Sequence, residues 1–101
     1  MENTPEATTE KQTHRTPEQK KSLLTRLRRI EGQIRGLEQM VENDAYCNDL
    51  LQQSAAARSA LDGFNQELLS NHIHGCVTRG ILEGDPEIVD ELVKTIRKLM
   101  K

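Results

Sequence analysis

Apolar residues recur at Leu23, Leu27, Ile30, Ile34, Leu37 and Val41, in steps of 4, 3, 4, 3 and 4. That spacing is the a/d seam of a heptad repeat. It admits a helix with one packing face and excludes a strand, whose sides alternate every second residue. Thr16-Pro17-Glu18-Gln19 supplies the start: Thr as N-cap, Pro in the first turn, and Gln three positions on to close a capping box. The first helix is therefore expected over residues 17–42. Asn43-Asp44 breaks it and can cap a second. The spacing continues through Cys47, Leu50, Ser54, Ala57, Leu61, Phe64, Leu68 and Asn71, and Glu83-Gly84 ends it, so the second helix is expected over 45–82. Asp85-Pro86-Glu87 opens a third, over 86–100, with Ile88, Leu92, Val93, Ile96 and Leu99 as its apolar positions. The fold class is all-α: a three-helix protomer whose short first connection makes an antiparallel hairpin.

A seam needs something to pack on, and this chain has little to offer itself. Its 101 residues make one small domain, 16–101, behind a polar segment, 1–15, that reads as a disordered tail. Tyr46 and Phe64 are its only aromatic residues. A core this thin is commonly completed by oligomerisation. No stretch is apolar enough to span a membrane, and no leader is evident, so a cytoplasmic protein with reduced thiols is expected.

The net charge of −2 conceals an asymmetry. From Thr16 to Val41 six basic residues face three acidic ones, a net of +3; from Glu42 onward six face ten, a net of −4. Lys21, Arg28 and Arg35 are spaced by seven and form a stripe about 140° around the helix from its seam. Arg26 and Arg29 lie on the other flank, Arg26 nearer the buried edge. A solvated face and a phosphate-binding face both fit this pattern.

Chemistry-bearing side chains sit at both ends of the second helix. His72 and Cys76 are four residues apart, so they share a face and can reach one metal ion. Cys47 lies 25 residues before His72, about 37 Å along a continuous helix. Within one chain it cannot join them, but an antiparallel second copy crossing near Leu61 would bring it there, twice, by symmetry. Two thiolates and an imidazole suit Cu(I), Zn(II) or Ni(II), and three ligands complete a Cu(I) site. The plainer reading is two small buried cysteines and a histidine at a helix end. His74 points elsewhere, about 200° around from His72. His14, in the tail, is a further ligand or a solvated residue, and Tyr46 packs or donates beside Cys47. No catalytic triad, phosphate loop or paired carboxylate is present. Asp85, Glu87, Asp90 and Glu91 read as an acidic helix start.

The run Arg26-Leu27-Arg28-Arg29-Ile30-Glu31-Gly32-Gln33-Ile34-Arg35-Gly36-Leu37, followed by Tyr46-Cys47 and His72 to Cys76, resembles the copper-sensitive operon repressor (CsoR) family, from Lys20 to Leu99. The resemblance implies an antiparallel four-helix-bundle dimer, a dimer-of-dimers tetramer and no helix-turn-helix. It implies Cu(I) ligands at Cys47 of one subunit and His72 and Cys76 of its neighbour, with Tyr46 and Glu91 as supporting residues. The family also holds nickel, persulfide and formaldehyde sensors. Persulfide sensors typically lack the histidine that is His72 here, and nickel sensors recruit an N-terminal histidine, a place His14 could take. The expected function is a repressor that binds operator DNA through Lys21, Arg26, Arg28, Arg29 and Arg35 and is released by Cu(I), derepressing copper export genes, with a copper chaperone as a metal donor. A thiol sensor using Cys47 and Cys76, a nickel sensor and a structural helical adaptor are the rival readings.

Overall fold

The computed structural model describes residues 13–101, so residues 1–12 of the expected tail lie outside it. After a short extended lead-in, α1 runs Pro17–Glu42 and α2 Cys47–His72. A π turn, Ile73–Val77, and a short α3, Thr78–Leu82, continue directly from α2. α4 follows over Ile88–Leu99. Every junction residue from His72 to Thr78 that caps one of these pieces keeps right-handed helical angles, so α2, the π turn and α3 form one unbroken rod. At 1.5 Å per residue the rod is about 54 Å long, nearly the whole 55 Å extent of the molecule. Among the described residues no helix is long and apolar enough to cross a membrane.

Local chemistry sets these bounds. Thr16 Oγ1 accepts the Gln19 N–H while Gln19 Oε1 accepts the Thr16 N–H, each at 3.0 Å, a closed capping box. Asn43-Asp44 does not cap α2: it finishes α1. Asp44 adopts φ +56°, its N–H donates to Val41 O, and the Ala45 N–H donates to Met40 O. That is a Schellman ending with Asp in the left-handed position. The rod ends in the same way around Gly84, φ +79°, with Gly84 donating to Ile81 O and Asp85 to Gly80 O. α2 instead starts after extended Tyr46, which makes no side-chain cap bond. α4 starts two residues beyond Pro86, because Asp85 Oδ1 accepts the Glu87 N–H at 3.0 Å and closes a turn there first.

α1 and α2 pack as an antiparallel hairpin, and α4 folds back along the far end of the rod. Among the described residues the buried side chains are few: Leu23 on α1, Ala57 on α2, Val77 in the π turn and Ile88 on α4. Ile88, packed against Gly80, joins α4 to the rod. A Cβ on Gly80 would stand 2.9 Å from Ile88 Cγ1, so glycine lets α4 approach the rod. Elsewhere apolar surface stays open: Ile34 and Val41 of the α1 seam, Leu51 and Leu61 of α2, Val89 and Val93 of α4. A radius of gyration of 17.2 Å, against about 13 Å for a compact chain of this length, gives the same picture.

Gly80→Val should push α4 off the rod and destabilise the protein by about 1–3 kcal/mol in urea unfolding. Asp44→Gly should raise stability, because it relieves a left-handed residue that carries a Cβ.

Candidate metal centre and cation face

Cys47 is the first residue of α2, a free, exposed thiol preceded by the exposed Tyr46. His72 is the last residue of α2, and Cys76 lies inside the π turn; both are half-buried. His72 borders a cavity of about 280 Å³ between the rod and α4, with Leu68, Asn71, Thr95 and Leu99, and with Thr13 and Arg15 of the lead-in.

The π turn bears directly on the His72–Cys76 pair. In an α-helix, residues four apart are offset by about 40°. Hydrogen bonds from i to i+5 wind the chain less per residue, which brings i and i+4 closer to eclipsed. Thr78 closes this turn with both its donors: its N–H reaches Ile73 O, and its hydroxyl donates to the same oxygen at 2.8 Å. Gly75, where a Cβ would meet nothing within 4 Å, does not break the rod.

Cys47 is not brought to them. Among the described residues no three His, Cys, Asp or Glu side chains are grouped to hold a metal ion within one chain. The 25 positions from Cys47 to His72 are, however, within about 20° of seven whole turns. Cys47 and His72 therefore lie on one face of the rod, Cys47 at its start and His72 at the end of α2. That face also carries Leu51 and Leu61, 67% and 44% exposed.

The other candidates fall outside this line. The His74 Nδ1 lies 2.9 Å from Ser70 O; a carbonyl only accepts, so this nitrogen holds the proton and the ring is tied to its own helix. His14 is exposed in the lead-in. Glu91 lies exposed in the first turn of α4, beside a surface groove shared with Asp85, Glu87, Asp90 and Lys94.

On α1, Lys21, Arg28, Arg29 and Arg35 are exposed. Arg26 is not free as they are. Its Nε donates to Glu67 Oε1 of α2 at 2.6 Å, in a pair whose side chains are 43% and 22% exposed. The Ser22 hydroxyl and then Arg26 hold the Glu67 carboxyl below its usual range. A Cβ on Gly63 would come within 3.1 Å of Arg26 Nη1, so the guanidinium lies against bare backbone one turn before Glu67. The sequence reading missed Glu67, Ser22 and Gly63. Arg26's position near the buried edge of the seam was the available signal, since a cation there needs a partner on the helix opposite.

Residues 19–98 match the family model of the metal-sensitive transcriptional repressors. The chain is 42% identical, over 87% of its length and 88% of the relative's, to the copper-sensing transcriptional repressor CsoR of Bacillus subtilis (strain 168). It is 47% identical to the copper-sensing transcriptional repressor RicR of Mycobacterium tuberculosis (strain ATCC 25618 / H37Rv), covering 72% of this chain and 76% of that one. The crystal structure of the copper-sensing repressor CsoR with Cu(I) from Geobacillus thermodenitrificans NG80-2 superposes with a TM-score of 0.84 at 40% identity, over 89% of this chain and 95% of that one.

Because the folded-state pKa of Glu67 is lowered, its stabilising contacts are fully present above the ordinary carboxylate range and are lost as pH falls through that lowered value. The melting-temperature gap between wild type and Glu67→Gln should therefore be small, because the pair is half-open to water, present at neutral pH and closed in acid.

Proposed function

The chain belongs to the metal-sensitive transcriptional repressor family, and we propose that it is a Cu(I)-responsive repressor that holds operator DNA when metal-free and releases it on binding Cu(I). The observation that carries this reading is the rod. It sets Cys47 at one end and His72 with Cys76 at the other, on a common face with uncovered apolar side chains. A second rod crossing antiparallel near Leu61 covers that face and closes two Cys–His–Cys sets, Cys47 from one subunit and His72 and Cys76 from its neighbour. Two soft thiolates with one imidazole fit Cu(I). The copper-sensing relatives support that choice of ion over nickel.

In this reading Tyr46, next to Cys47, and Glu91, on α4, support the ligands from outside. The open seam residues Ile34 and Val41 belong to contacts between copies, in an antiparallel four-helix dimer and a tetramer of two dimers. The DNA face is α1, where Lys21, Arg28, Arg29 and Arg35 are available to phosphate and Arg26 joins them from its seat on α2. Several such faces in one assembly make binding steeply salt-dependent. Tying Cys47 to the other subunit's His72 and Cys76 fixes how two rods cross, and with them the spacing of the α1 faces. By linkage, DNA must weaken Cu(I) binding by the factor by which Cu(I) weakens DNA binding. The setting is cytoplasmic, with copper export genes as targets and a copper chaperone as donor.

Two measurements test this. Stoichiometric Cu(I) should release the protein from its own promoter DNA in an anisotropy titration; unchanged affinity defeats the reading. Mixing Cys47→Ser chains with His72→Ala/Cys76→Ser chains should restore Cu(I) binding that neither shows alone, to about a quarter of the wild-type stoichiometry, since half the dimers are mixed and each has one intact set. Without restoration the site is not shared between chains.

A further inference from the structure

Arg26 differs from its neighbours in what decides its position. Lys21 and Arg29 are exposed side chains of α1 alone. Arg26 is placed by α2: Gly63 gives its guanidinium a floor, and Glu67, one turn on, gives it a carboxylate. Glu67 is gripped a second time by the Ser22 hydroxyl, one turn before Arg26 on α1. The pair is partly open to water, 43% and 22% exposed, so it contributes little to stability and is within reach of a competitor. Lys21, Arg26 and Arg29 border one groove of about 410 Å³ on the surface of α1.

We propose that Glu67 is a positioning residue that competes with DNA phosphate for the Arg26 guanidinium, so that the position of the rod sets how many cations α1 offers to DNA. The proposal rests on the reading of α1 as the DNA face. Glu67 occupies the Nε–H of Arg26, and its negative charge opposes a phosphate brought to the same guanidinium, so the two acceptors compete for one cation. Glu67 stands five residues before His72 on the same rod, about 7.5 Å along its axis. Any movement of the rod against α1 that strengthens the pair withdraws Arg26 from phosphate, and any movement that opens it returns the cation. A pure brace between two helices has the same contacts but a different consequence: its loss destabilises the hairpin and adds no cation to the DNA face.

The test is the salt dependence of binding to a labelled random-sequence duplex by the full-length, metal-free protein. Glu67→Gln keeps the shape and an acceptor but removes the charge. It should bind several-fold tighter, with a log–log salt slope steeper by about one for each α1 face engaged. Gly63→Ala, a substitution that favours helix, sets a Cβ 3.1 Å from Arg26 Nη1, loosens the pair by displacing the guanidinium slightly and should steepen the slope in the same direction, by less. In an Arg26→Gln background neither change should alter the slope. Weaker binding or an unchanged slope in Glu67→Gln, with wild type retained by the duplex, overturns the competition. If that variant does not fold, Gly63→Ala decides by the same criterion. A wild-type chain that no duplex retains even at low salt overturns the reading of α1 itself, and the competition with it.

Discussion

A helical rod that does not fold back on itself is the constraint on which the rest depends. Nothing from Cys47 to Leu82 interrupts it: both glycines within its final third, Gly75 and Gly80, stay helical, and the π turn is absorbed with helical angles on either side. One rod has one hairpin partner, α1, and one short strap, α4. Two neighbours cannot cover a helix on all sides, so apolar residues of good size remain open on α1, α2 and α4 while, among the described residues, only Leu23, Ala57, Val77 and Ile88 are buried. The same length separates Cys47 from His72 and Cys76. If these are ligands, as proposed, an incomplete core and an incomplete ligand set have a single cause, and a second rod would answer both.

Much of this was legible in the residues because helices announce themselves locally. The steps of four and three, the Thr16 box and the Gly84 ending each concern a few neighbouring residues, and α1 and the end of the rod follow from them. The misreadings came where two local chemistries compete. Asn43-Asp44 can cap a following helix or finish a preceding one, and it finishes α1, because Asp tolerates the left-handed conformation that a Schellman ending requires. Pro86 suits a first helical turn, but Asp85 captures the Glu87 N–H and spends that turn before α4 begins. Partners across the hairpin were less legible still. Nothing in the sequence around Glu67 names Arg26, 41 residues away; only the angular position of Arg26 warned that it would meet another helix.

The π turn shows how a side chain can adjust the proposed ligand pair, His72 and Cys76, without touching it. Thr78 holds Ile73 O with two donors, and an acceptor engaged in this way is withdrawn from the ordinary ladder. The wider turn that results spans Cys76 and changes its azimuth relative to His72. An α-helix would set the two side chains on one face but splayed; the wider turn brings them nearer to one line. Threonine at position 78 is thus a candidate for tuning that no list of ligands would include, since neither of its donors faces the thiol or the imidazole.

Electrostatics then decides which end of the chain can answer the other. α1 carries its excess of positive charge on a helix that, apart from Arg26, keeps its cations in water, where salt screens them and small displacements matter little. Arg26 is the exception because its position is dictated by Gly63 and Glu67 of the rod, on the stretch that leads within about three turns to His72. An ion pair that is weak in net stability is well suited to this place. A strong, buried pair would lock the hairpin and could not yield to phosphate, whereas a half-open pair exchanges one oxygen partner for another at small cost. In the proposed mechanism, coupling between a ligand at the rod and DNA at α1 then needs no large refolding. It needs only that the two states of the rod differ in how firmly Glu67 holds one guanidinium, multiplied over the copies in the assembly.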